Sequence, residues 1–231
     1  MGRELFDYAF REYANRWMFK HPTPEDFFRT MEDASAFDLD WFWRGWFYTT
    51  DYVDMGVKEV KKYYVSSEPN ARIKEMVKQR GMKMSDLPPL VYMVEEGSDE
   101  FTEDMKNGTL LENSPTLNEY VMDNFTPEER AKIKQPKYFY SVTFEKPGGL
   151  VMPIIVEYTY ADGTTKMEKY PAQIWRLNDK EVSKAVASDK EIVKITVDPN
   201  LETADVDTSN NSWPREVKQS QFDQFKEKNK D

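Results

Sequence analysis

The chain has 231 residues, with 32 Lys and Arg against 42 Asp and Glu, for a formal charge of −10. No basic stripe offsets that charge, which argues against nucleic acid or an anionic membrane as a partner. Cysteine is absent, so disulfides, cysteine nucleophiles and thiolate metal sites are excluded, while the compartment is left open. No apolar run approaches the ~20 residues needed to span a bilayer, and the opening MGRELFDYAF lacks the continuous apolar stretch of a signal peptide.

Residues 3–18 read as an amphipathic helix, because Phe6, Phe10, Tyr13 and Trp17 recur at helical spacing with Leu5, Ala9 and Ala14 widening the stripe. After a break at Lys20-His21-Pro22, Thr23-Pro24-Glu25-Asp26 supplies an N-cap, a proline at the first helical position and acids in the first turn. Phe27, Phe28, Met31 and Ala34 give that second helix its apolar face. A turn at 35–37 leads into AFDLDWFWRGWFYTTD, where seven of the twelve residues from Phe37 to Tyr48 are aromatic. A solvent-facing helix tolerates one such stripe, not rings around most of its circumference. The expectation is a buried helix, started by Asp38 or Asp40 as cap and ended by Thr49-Thr50-Asp51.

Val53, Met55 and Val57 alternate as in a strand, with Val60 and Tyr64 less regular. Residues 68–81 read as a surface helix or linker, 90–94 as a short strand and 95–100 as an acidic loop. Small helices are predicted at 116–124 and, after Thr126-Pro127, at 128–134. Strands follow at 138–144, 150–160, 165–170, 173–176, 183–187 and 191–197, with Ala161-Asp162-Gly163 as a tight hairpin turn. Beyond Pro199 the chain is polar, and its tail, with Phe222 and Phe225, reads as mobile or weakly helical. The predicted class is α+β: an aromatic-rich helical layer (1–52), a connector (53–136), a small antiparallel β-sandwich (137–200) and a polar tail (201–231).

The chemical constellations are thin. The single histidine, His21, lies in a break and has no histidine or cysteine partner for a metal. No Ser-His-Asp or Cys-His arrangement can be assembled. Glu32-Asp33 and Asp38 with Asp40 are paired acids at positions where helix ends place capping acids. Asp205-x-Asp207-x-Ser209-Asn210 is a faint calcium-loop pattern, without the central glycine and closing glutamate. Asn107-Gly-Thr, Asn124-Phe-Thr and Asn210-Asn-Ser match the glycosylation pattern, and Lys58 to Lys62 reads as a solvated face. No residue is assigned a catalytic, cofactor-binding or metal-binding role.

FDYAFREYANRW, FKHPTPEDFFRTMEDAS and DLDWFWRGWFYTTD together resemble the last helices of the catalytic domain in M1-family (thermolysin-like, gluzincin) zinc aminopeptidases of the bacterial type. GGLVMPIIVEYTYADGT, PAQIWR and VDPNLETADVDTSNN resemble the β-sandwich that follows that domain. The resemblance implies a thermolysin-like fold end, peptide hydrolysis with zinc in the parent enzyme, and a parent in the periplasm or outside the cell. The family's zinc motif, HExxH with a downstream Glu, needs two histidines and does not map onto this sequence. Met1 falls inside the family domain on this resemblance, so the expectation is a C-terminal fragment or truncated gene product. Its partner would be the N-terminal part of the same peptidase, and exposed aromatic helices would otherwise self-associate. The alternative is a stand-alone protein-interaction module without enzymatic activity.

Overall fold

The computed structural model describes residues 1–83 and 91–215. The tail with Phe222 and Phe225, and Leu90 of the predicted strand, lie outside the described residues. Three helices open the chain: α1 (Arg3–Trp17), α2 (Pro24–Ser35) and α3 (Asp40–Tyr48). The remaining α-helices and strands are β1 (Gly56–Ser66), α4 (Ala71–Gln79), β2 (Tyr92–Glu95), α5 (Pro115–Asn124), α6 (Pro127–Arg130), β3 (Tyr138–Glu145), β4 (Ile154–Tyr160), β5 (Thr165–Tyr170), β6 (Glu181–Ser188), β7 (Ile192–Val197) and β8 (Ser212–Trp213), with short 3-10 helices among them. The strands form two four-stranded antiparallel sheets, ordered β2-β1-β3-β6 and β5-β4-β7-β8. The fold is α+β. Among the described residues, no helix is long and apolar enough to cross a membrane.

One core lies between the sheets, built from residues such as Val142, Phe144, Ile154, Val156, Tyr158 and Ile195, all essentially without solvent contact. A second, smaller core of Ala9, Phe28, Met31 and Trp43 holds the three helices together. The sequence places the sandwich in 137–200, but β1 and β2 of segment 53–136 pair directly into it, with β1 between β2 and β3. The reason β1 reads as irregular is a register shift between Val57 and Glu59. A bulge inserts one residue and reverses which parity faces the core. Val53, Met55 and Val57 are buried before it, and Tyr64 after it.

Two further expectations are corrected. The predicted strand at 173–176 is a 3-10 helix over Ala172–Arg176, begun by Pro171, whose carbonyl accepts from Ile174 N at 3.0 Å. Helical spacing of three turns both Ala172 and Trp175 inward, and Trp175 Nε1 donates to Met152 O at 3.0 Å. The strand predicted from residue 150 starts at Ile154, directly after Pro153, which has no N–H to give to a ladder. The segment 68–81 resolves as helix α4, capped by Asn70, whose side chain accepts from Ile73 N. The Asp-Gly turn forms the β4–β5 hairpin, with Gly163 at φ +80 where a side chain would be strained.

The link between helices and sandwich is clamped by the 146–150 loop. Leu150 N donates to Tyr52 O (3.2 Å) and Gly148 N to Asp54 O (3.3 Å). Buried Lys146 donates to the carbonyls of Gly148 (2.9 Å) and Gly149 (3.3 Å). A Cβ on Gly148 would come within 2.4 Å of the Tyr52 carbonyl oxygen and 2.7 Å of Asp54 N, both backbone atoms, so this approach requires glycine.

The sandwich core makes stability sensitive to alkali. Burial pushes the hydroxyls of Tyr140 and Tyr158 up to about 12 from an ordinary value of 10.0. Between those values the unfolded chain releases protons that the folded one keeps, so stability present below pH 10 is lost as pH rises. The slope is at most ~1.4 kcal/mol per pH unit for each tyrosine. Urea titrations from pH 9 to 11.5 are expected to show this fall, and Tyr158→Phe to make it shallower; an unchanged slope in that variant would contradict the assignment.

Candidate interaction surface

The helical layer is built on ring contacts. In α2, Thr23 caps the helix in a reciprocal pair with Asp26, as the sequence indicates. This sets Phe27 and Phe28 at its start to meet α1 and α3. Phe28 stacks on Trp43 (centroids 4.6 Å, planes 16° apart), and Phe27 meets Tyr13 edge-on at 4.9 Å and Trp43 at 5.5 Å. Such offset and edge geometries match the ring quadrupoles. Trp17 Nε1 donates to Thr30 Oγ1 at 3.1 Å, tying α1 to α2.

The aromatic density of α3 predicts an interior helix. In the structure only Trp43 of that helix is buried, while Trp46, Phe47 and Tyr48 are 41%, 54% and 61% exposed. Phe6 and Phe10 of α1 are 44% and 47% exposed and stack on each other at 5.8 Å. Three helices are too few to enclose this many rings, so the layer turns large apolar side chains to solvent. Single exposed rings are ordinary; a group of them marks a contact surface. Trp43 Nε1 is buried with no hydrogen-bond partner among the described residues. Between this layer and the sandwich runs an apolar groove of about 520 Å³, lined by residues including Phe37, Trp41, Phe42, Met152 and Pro153.

Neither Asp38 nor Asp40 is the N-cap of α3; Leu39 takes that position without a side-chain cap. Glu32 reaches across instead and accepts from Leu39 N at 2.8 Å, while Asp38 accepts from Asp40 N at 3.3 Å. These bonds gather Glu32, Asp38 and Asp40, whose nearest carboxylate oxygens lie within 4.8 Å of one another. Asp33 turns away to Arg16. His21 is exposed and belongs to no such group among the described residues. Catalytic zinc takes nitrogen or sulfur donors with at most a carboxylate or two. A histidine-free set of three acids, two already bound to backbone N–H groups, does not fit it.

Lys58 and Lys61 lie on a solvated face and pair with Glu181 and Glu95. Lys62 departs from that reading: the bulge turns it inward, to Glu191 at 2.5 Å and over the rings of Tyr64 and Tyr138. Of the glycosylation patterns, Asn107 and Asn124 are exposed, but Asn210 is buried and cannot accept a glycan in the folded chain. Asn210 instead bonds to buried Asp54, 156 residues away, with Nδ2 to Oδ1 at 2.7 Å. The only sequence trace of that polar cluster is the faint Asp205-x-Asp207 spacing. No protein-family model matches the chain, and no curated protein matches it significantly.

Proposed function

We propose that this chain is the non-catalytic C-terminal part of an M1-type zinc aminopeptidase. Its helices buttress the zinc-bearing core, and its sandwich braces the domain and helps wall the substrate cleft. The parent reaction, by resemblance, is hydrolysis of the peptide bond next to a free N-terminus, with zinc supplying the activated water. No residue of this chain takes a step in that chemistry. The observation that carries the reading is the half-exposed aromatic layer of α1 and α3, where Phe6, Phe10, Trp46, Phe47 and Tyr48 lack enough covering structure. This is the face that the resemblance sets against the zinc-bearing helices.

The same exposed face also suits a stand-alone protein-interaction module, so the test must separate the two. Reading the coding DNA upstream of Met1 does so. An open frame encoding HExxH and a later Glu is the expected result. A stop codon close upstream would overturn the peptidase reading and leave the interaction module.

A further inference from the structure

The segment 203–212 folds back against the entry to β1. Val206 N donates to Val53 O at 3.0 Å, and Asp205 bridges Val53 in parallel. Asp205 Oδ2 faces Met55 N at 3.4 Å, and Asn210 reaches Asp54. This brings two carboxylates and two carboxamides from segments 150 residues apart into one place.

The cluster is polar, buried and incompletely satisfied. Asp54, Asn210 and Asn211 are 8%, 8% and 4% exposed, and Asp205 is half-buried. Asn210 Oδ1 and both polar atoms of the Asn211 side chain are buried with no hydrogen-bond partner among the described residues. The Asn211 side chain lies against the Asp205 carboxylate without reaching hydrogen-bond geometry. No lysine, arginine or histidine among the described residues forms an ion pair with Asp54 or Asp205.

A nearby acid shows what satisfaction looks like. Asp198, only 2% exposed, accepts from Glu202 N at 2.7 Å, Thr203 N at 3.0 Å and Thr203 Oγ1 at 2.6 Å. The carboxylates of the cluster do accept hydrogen bonds, Asp205 from Asp207 N at 3.1 Å and Met55 N at 3.4 Å and Asp54 from Asn210 Nδ2 at 2.7 Å, but they lie together without a counter-charge among the described residues and beside the orphaned amide atoms of Asn210 and Asn211. Burying like charges and unsatisfied amides side by side is unfavourable unless something neutralises them. Oxygen-only donors of mixed carboxylate and amide type suit a hard cation that tolerates irregular coordination, which is calcium rather than a thiolate- or imidazole-seeking metal.

We propose that Asp54, Asp205, Asn210 and Asn211 form a calcium-binding site that fastens the 203–212 segment to the start of β1. The site lies in the sandwich and does not depend on the peptidase reading. A Cβ on Gly56 would sit 2.8 Å from Asn210 Oδ1 and 2.7 Å from Asn210 O, so glycine lets the segment close over the cluster.

The test is calorimetric titration of the full chain with CaCl2 after chelator treatment, against NaCl of matched ionic strength, with thermal unfolding in parallel. A saturable one-to-one heat and a raised Tm are expected. Asp54→Asn and Asn211→Ser, one from each segment, are each expected to weaken binding by about tenfold or more. Asp38→Asn, in the separate acidic group of the helical layer, is expected to bind as the parent does. No saturable heat and no Tm rise in the parent chain would overturn the site, since trapped water would then serve the amides. So would unchanged calcium affinity in either Asp54→Asn or Asn211→Ser.

Discussion

Replacing Trp43 by alanine is expected to unfold the helical layer and leave the sandwich standing. Trp43 is 8% exposed and is the ring on which Phe27, Phe28, Phe42 and Phe47 converge, at 5.5, 4.6, 5.1 and 5.7 Å. Truncating a buried tryptophan costs about 3–5 kcal/mol, through lost transfer energy and the cavity left behind. The layer has only three other buried apolar side chains, Ala9, Phe28 and Met31, to absorb that loss. Its helices have 15, 12 and 9 residues, at or below the length that is marginal in water without packing. The sandwich core is a separate cluster that does not include Trp43. The measurement is urea unfolding followed by helical circular dichroism and by amide exchange in β3 and β4. Loss of helical signal with protected strands is the expected pattern. Simultaneous loss of both would mean that the two cores are one cooperative unit.

Much of this architecture is legible in the sequence, and the failures have physical causes. The helices of the layer are set by local information: ring spacing in α1, the Thr23-Pro24 start of α2, and the aromatic run of α3. The β4–β5 hairpin follows from Asp162-Gly163. What escapes the sequence depends on contacts distant along the chain. The bulge after Val57 reverses the alternation near the start of β1, so a central strand reads as part of a connector. Trp175 folds inward on a 3-10 turn because Met152 O, 23 residues earlier, offers its acceptor. Glu32, Asp38 and Asp40 read as separate capping acids, and their convergence depends on the tight turn at Ala36, where the backbone enters the left-handed region at φ 54. The cluster of Asp54 with Asn210 and Asn211 unites residues that no local pattern could join.

The aromatic density of α3 is the most instructive mismatch. Read alone, it calls for an interior helix, yet in this chain Phe47 and Tyr48 are more than half exposed. Tyr48 donates its hydroxyl to the Glu25 carboxylate at 2.8 Å and meets Phe28 edge-on at 6.2 Å, which still leaves most of its ring in solvent. Local sequence and available packing therefore disagree, and a covering partner would reconcile them. Natural sequences keep such disagreements chiefly where function needs them.

That covering partner is the central claim, and association of the chain in solution tests it most directly. Left uncovered, the rings of α1 and α3 are expected to draw two chains together or to bind a hydrophobic dye. Glutamate at Phe6 and Phe10, both exposed and outside the buried core of the layer, is expected to abolish that behaviour. Burying either charge at an apolar contact costs several kcal/mol, whereas leaving it in solvent costs little. The measurement is sedimentation velocity over a concentration series, with dye fluorescence on the same samples. Concentration-dependent association or strong dye binding, lost in Phe6→Glu/Phe10→Glu, is the expected result. A monodisperse monomer that binds no dye and unfolds in a single transition would contradict the account.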